Sequence, residues 1–227
     1  MTAASVLVLA LLGGLVGLDV VSFPQAMISR PIVAATLGGA LLGSAIEGLL
    51  VGVVLELLAL ETLPFGASWY PEWASASVVG GALFASRSGP AAGTLALALL
   101  AAVATAWVGG WTMQSLRRLN GHWARRNLSS IDAGNATTVL TLQLRGLAAD
   151  FLRGALLTGV AYALLHPALA VVGVHWHLAL GISCAVAVGV AAAVAGSAAW
   201  ERSRGASAAR WYLVGGLVIG LATLVLQ

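Results

Sequence analysis

Apolar residues fill most of this chain, and the polar positions between them set two different rhythms. In the last two thirds the apolar runs are long. Residues 88–116 carry no charge, residues 154–200 carry neither acid nor arginine, and residues 211–227 form a last run. A helix needs about 20 apolar residues to cross a bilayer, so each run predicts at least one span. Pro167, Gly173 and His175 divide the second into two. The first third is different. Its uncharged runs, 3–18, 31–46, 48–55 and 73–86, are each shorter than a full crossing and end at an ionisable residue, a proline or a glycine.

Short, interrupted hydrophobic segments are the sequence form of broken helices and re-entrant hairpins. Irregular backbone survives at membrane depth only where protein or a water-filled cavity surrounds it. The expected fold is therefore all-α and polytopic, one integrated membrane domain. Residues 1–86 form a region of interrupted helices around a polar path. Residues 87–227 form a transmembrane scaffold with a polar loop or surface helix near 117–136. The first run has no arginine before it and passes directly into Asp19, which argues against a cleaved leader.

Composition agrees. The chain is 60% hydrophobic and 8% charged over 227 residues, where a soluble domain carries roughly 25% charged residues. Its solvent is a bilayer. The net charge of +3 is unevenly spread. Residues 1–86 hold Asp19, Glu47, Glu56, Glu61 and Glu72 against Arg30, whereas ten of the eleven basic residues, all arginine, lie beyond. Those arginines sit in short stretches between runs rather than along one solvated face, so nucleic acid is not an expected partner. Arg117, Arg118, Arg125 and Arg126, and later Arg202, Arg204 and Arg210, mark cytoplasmic ends by the positive-inside rule. Glycine pairs at four-residue spacing, such as Gly13/Gly17, Gly39/Gly43 and Gly48/Gly52, predict close helix packing within one subunit.

The candidate chemistry is concentrated in the first third. Glu56 lies in an otherwise uncharged helical run, and an ionised carboxylate there costs several kcal/mol unless it is hydrogen-bonded or faces water. It is either functional or a structural partner of a neighbour such as Arg30. Glu47 falls near a helix start, where the dipole favours an acid. Glu61 lies about 140° around the helix from Glu56. Asp19, followed by Pro24 and Gln25, is placed to hydrogen-bond sugar hydroxyls, bind a cation or mark an interface. Arg30–Pro31 reads as a helix start. The stretch 63–72, with Pro64, Gly66, Ser68 and Glu72, breaks the helix and offers backbone amides, a hydroxyl, aromatics and a carboxylate, an inventory suited to a polyol or to an ordinary loop.

Elsewhere the signals are weak. Asp150 and Arg153, one helical turn apart, neutralise each other at a span entrance. His175 and His177 point apart on a helix, and the lone Cys184 offers no disulfide or metal pair. No nucleotide-binding, protease or hydrolase motif occurs. No metal, cofactor or catalytic group is expected.

The stretch Ser29-Arg30-Pro31-Ile32-Val33-Ala34-Ala35-Thr36-Leu37-Gly38-Gly39-Ala40-Leu41-Leu42-Gly43 resembles a signature of the IIC subunit of the mannose/fructose/sorbose family of bacterial sugar phosphotransferase systems. Residues 48–56 are similar to that family's glycine-rich helix ending in glutamate, Leu63-Pro64-Phe65-Gly66-Ala67 to its small-residue break, and Tyr70-Pro71-Glu72 to its Pro-Pro-Asp. The similarity covers roughly residues 15–85. It implies a non-catalytic permease component in the bacterial inner membrane. Such a subunit pairs with a IID membrane subunit in an oligomer and carries a hexose or amino sugar that cytoplasmic IIB, charged by IIA, phosphorylates. On that reading Glu56, Gln25, Asp19, Gly66, Ser68 and Glu72 contact substrate, and Arg30, Pro31, Glu47 and Pro64 shape or gate the path. Two alternatives stand beside it. One is a IIC-like regulatory anchor that does not transport. The other is an ion-coupled secondary transporter using Glu56 or Glu61 as a proton relay.

Overall fold

The computed structural model of the chain describes residues 2–62, 68–86, 92–173 and 180–202, together with Trp211 and Val214. Eight helices run in order through these residues: α1 (Ala3–Asp19), α2 (Pro31–Leu41), α3 (Ala45–Ala59), α4 (Trp73–Ala85), α5 (Ala92–Arg126), α6 (Leu128–Asp132), α7 (Ala136–Gly173) and α8 (Leu180–Arg202). No strand occurs among the described residues. Three helices, within α5, α7 and α8, are long and apolar enough to cross a membrane. The expected last span over 211–227 falls almost entirely outside the described residues.

The first four helices are short. At about 1.5 Å per residue, the 11 residues of α2 rise roughly 17 Å and the 15 of α3 roughly 23 Å, against a hydrocarbon core of about 30 Å. α2 ends at Leu41, where Gly43 adopts φ +94 and turns the chain back into α3. That angle belongs to the left-handed region, open to glycine at little cost. The two helices then run antiparallel as a hairpin so tight that a methyl at Gly48 would overlap the Ala35 carbonyl. α4 lies across this hairpin with Gly81 on Ala35 and Val78 on Gly38. Every residue from Ala74 to Ala85 is buried, as expected of a helix enclosed by protein on all sides.

The long helices enclose this unit. α5 runs antiparallel to α4, with Ala102 against Gly80 and Gly109 against Glu72. α7 runs antiparallel to α1 through the contacts Gly13–Thr158, Gly14–Phe151 and Gly17–Gly154. Gly13, Gly17, Gly39, Gly48 and Gly52 thus serve packing within the chain, whereas Gly43 touches no neighbour and serves the turn. α8 lies along α3 and α5, and its terminal Arg202 donates to the carbonyls of Leu60 and Glu61.

The uncharged stretch 154–200 is divided as expected: α7 passes through an exposed Pro167 and ends at Gly173, and α8 begins at Leu180. The polar stretch 117–136 is mostly helical, continuing α5 to Arg126 and then forming α6.

Candidate functional site

Four helix ends meet at one place. The C-terminus of α1, the N-terminus of α2, the C-terminus of α3 and the N-terminus of α4 surround a cavity of about 190 Å³. That is smaller than the roughly 300–1,000 Å³ of drug-sized pockets, a scale suited to a small ligand. Its polar wall comes from Ser29 and Arg30 at the head of α2, Thr62 after α3, and Tyr70 and Glu72 before α4. Half-helix ends converging on a cavity supply fixed partial charges of both signs, the architecture of membrane substrate sites.

Depth follows from α5. The Glu72 amide donates to the Ala106 carbonyl at 2.9 Å, near the middle of the uncharged stretch 88–116. Arg117 lies eleven residues further, about 16 Å along the helix. The cavity therefore lies between the middle of that uncharged stretch and the arginine-rich end, which reaches its wall through Arg117 at the Tyr70 hydroxyl and Arg202 at the Leu60 carbonyl.

Pro31 occupies the first turn of α2 and Arg30 its N-cap, as the Arg-Pro pair predicts. The Arg30 guanidinium is ion-paired with the Glu56 carboxylate, whose other oxygen accepts from the Ile32 amide at 3.2 Å. Glu56 thus holds the α3 end of the hairpin to the α2 start and reaches the cavity through Arg30. This is the partnership the sequence left open beside a direct functional role. Arg30 remains half exposed while Glu56 is mostly covered.

Glu72 caps α4, accepting from the Ser75 amide at 3.0 Å. Its side chain is fully buried, and its second oxygen lies 3.8 Å from the Arg153 guanidinium. Arg153 also donates to Asp150 at 3.0 Å, and Asp150 in turn accepts from the Ser22 hydroxyl at 3.1 Å. Asp150 and Arg153 do pair, as their spacing suggests, but they do so in the interior and as part of a larger group. Glu72 Oε2 and Arg153 Nη2 have no hydrogen-bond partner among the described residues.

Asp19 is buried, and its carboxylate accepts from the amides of Ala26 at 2.5 Å and Ser29 at 2.9 Å. It closes the loop that delivers Ser29 and Arg30 to the cavity rather than lining the cavity itself. Gln25 is exposed on that loop with φ 58. Glu47 lies in the first turn of α3, about 14 Å from Glu56 along the helix, at the far end of the hairpin. Ser68 is exposed, and its carbonyl accepts from Arg117 at 2.9 Å. Pro64 and Gly66 lie outside the described residues. Of the expected site residues, the cavity brings together Arg30, Pro31 and Glu72, with Glu56 behind Arg30.

Sequence reasoning missed Ser29, Thr62, Tyr70 and Arg153. Tyr70 was within sight, one residue from Pro71 in the break, and it is fixed by a 2.6 Å hydrogen bond from Arg117. Thr62 accepts from the Trp73 indole at 3.0 Å across the break.

The chain matches the family described as PTS system sorbose-specific IIC component over residues 3–170. It belongs to that family. The matched region contains all four convergent helix ends and the Arg-Pro stretch that carried the resemblance, and it stops within α7, so α8 lies beyond it. The IIC assignment is accompanied by 27% identity over 149 residues to the fructose permease IIC component of Bacillus subtilis (strain 168), covering 64% of this chain and 55% of that protein. The chain thus spans about half the length of this curated relative. A solved structure described only as that of a membrane protein superposes with a TM-score of 0.73 at 20% identity, over 100% of this chain and 95% of that one. At that identity it supports the fold alone.

Proposed function

We propose that this chain is the IIC permease subunit of a phosphoenolpyruvate-dependent sugar phosphotransferase system in the bacterial inner membrane. It passes a hexose or amino sugar through the cavity at which α1 to α4 end. The observation that supports this most is the convergence of four helix ends, with Ser29, Arg30, Thr62, Tyr70 and Glu72 on one small cavity, in a chain of the IIC family. Hydroxyls of Ser29, Thr62 and Tyr70 beside the aromatic rings of Tyr70 and Trp73 suit a neutral polyol, which needs both donors and acceptors and a flat apolar surface for its ring. The nearby charges are mostly used against each other: Arg30 with Glu56, and Arg153 with Glu72 and Asp150.

In this reading residues 1–86 form the sugar path and the long helices its scaffold, with the arginine-rich ends of α5 and α8 in the cytoplasm. A IID subunit completes the membrane complex, and IIB, charged by IIA, phosphorylates the sugar as it leaves. The apolar flank of α8, with Ile182, Val186 and Val190 exposed, leaves room for such a neighbour. An ion-coupled alternative is disfavoured by the Arg30–Glu56 pair, since a proton relay requires a carboxylate free to take up and release its proton.

The test is sugar uptake by cells expressing the chain with its IID partner, using fructose and sorbose as probes. Glu72→Gln and Thr62→Val should raise the half-saturating sugar concentration while the protein still inserts. Uptake kinetics unchanged in both variants would remove the cavity from the sugar path.

A further inference from the structure

A second cavity, of about 400 Å³, lies toward the arginine-rich end of the molecule, where the end of α1 meets α5 and α7. Its polar lining is Ser22, Arg117, Asn120, Gln143 and Asp150. Two arginine bridges stand between it and the first cavity. Arg117 lines the second cavity, donates to the Tyr70 hydroxyl at 2.6 Å and the Ser68 carbonyl at 2.9 Å, and stacks 4.9 Å from the Tyr70 ring centre. Tyr70 lines the first. Arg153 lies between Glu72, in the wall of the first, and Asp150, in the wall of the second.

We infer that this second cavity is a further binding site for a neutral polyol, the station a sugar occupies once it has passed the arginine partition. The inference rests on the sugar-path reading above. The chemistry of the wall selects the ligand class. Asp150 is ion-paired with Arg153, and the Arg117 guanidinium is already engaged by the Tyr70 hydroxyl and ring and the Ser68 carbonyl. What remains is hydroxyl and amide chemistry. The Asn120 side-chain oxygen is shielded from solvent and has no hydrogen-bond partner among the described residues. Such an atom needs a donor, and a sugar hydroxyl supplies one. Gly146 forms part of the wall opposite Asn120. A Cβ there would meet the Asn120 amide at 3.7–3.9 Å, an ordinary contact, so alanine fits at 146, whereas the longer leucine side chain extends into the cavity against Asn120.

The test uses the full chain with its membrane partner in vesicles, carrying Gln143→Cys in a Cys184→Ala background. A membrane-impermeant thiol reagent is applied from the arginine-rich side. Fructose or sorbose at ten times its half-saturating concentration should slow labelling roughly tenfold, because only about one site in eleven stays empty. Adding Gly146→Leu should abolish that protection, while Gly146→Ala should keep it. Protection undiminished by Gly146→Leu would show that the thiol senses a change elsewhere and would overturn the site. Stronger protection by a sugar phosphate than by the sugar would overturn the neutral class. Uptake without protection would overturn this site alone, and neither uptake nor protection in the parent protein would overturn it together with the sugar-path reading.

Discussion

Replacing Arg153 tests the buried charge group that ties α7 to the cavity wall. Its side chain is 7% exposed, with Nε 3.0 Å from Asp150 and Nη1 3.8 Å from Glu72, whose side chain is 0% exposed. At that separation two unit charges attract by about 4 kcal/mol at an effective dielectric near 20. Arg153→Gln leaves two carboxylates in the interior without their cation, and breaking a buried pair in this way costs about 3–5 kcal/mol. Glu72→Gln should cost less, about 1–3 kcal/mol, because Arg153 keeps Asp150 and the amide oxygen still accepts from Ser75. The double variant should cost less than the sum of the two by about 1–3 kcal/mol, the coupling expected of groups in contact. Equilibrium unfolding in mixed micelles, at fixed protein and detergent concentration, measures all three. Costs that add to within about 0.5 kcal/mol, as for distant sites, would refute an ion pair at 3.8 Å. The pair is also imperfect, since one oxygen and one nitrogen lack hydrogen-bond partners among the described residues. Replacing Asp150 and Arg153 by apolar residues of similar volume in a Glu72→Gln background, which keeps the α4 cap, should therefore cost less stability than Arg153→Gln alone and still damage uptake.

Three further outcomes are expected. Glu56→Gln should lower sugar uptake roughly 10- to 100-fold, the equivalent of losing a charged hydrogen bond of about 1.5–3 kcal/mol, with membrane insertion preserved; normal uptake would remove Glu56 from the path. Gly48→Val, which drives a side chain into the Ala35 carbonyl, should cost at least about 1–3 kcal/mol by overpacking and lower the yield of folded protein in detergent. Tyr70→Phe should cost about 1.5–3 kcal/mol in unfolding by removing the charged hydrogen bond from Arg117 while leaving the ring stack.

Much of this architecture can be read along the chain because lipid imposes simple rules. Runs too short to span, each closed by a polar residue or a breaker, indicated the short helices α1 to α4. Arg30–Pro31 marked the start of α2 through proline's fixed φ, and Glu47 marked the first turn of α3 through the helix dipole. The family could be recognised because several short motifs stand in order over residues 15–85. Long-range pairing could not be read in this way. Arg153 and Glu72 are 81 positions apart, and nothing in local spacing says that α7 brings the arginine to the cap of α4. Arg117 and Tyr70 meet for the same reason, across the antiparallel packing of α5 on the break. Asp19 illustrates a different limit. An acid beside a chain break looks equally suited to a ligand and to loop amides, and only the fold shows that Ala26 and Ser29 take its oxygens.

The central claim, that the cavity at the four helix ends carries sugar for phosphorylation, is tested most directly in vesicles containing this chain and its IID partner with IIA and IIB on the arginine-rich side. Labelled fructose or sorbose should accumulate as the sugar phosphate only when phosphoenolpyruvate and the general phosphotransferase proteins are supplied, and Glu72→Gln should weaken that accumulation. Accumulation of unmodified sugar that follows the proton gradient and ignores phosphoenolpyruvate, or no accumulation from an intact complex, would contradict it.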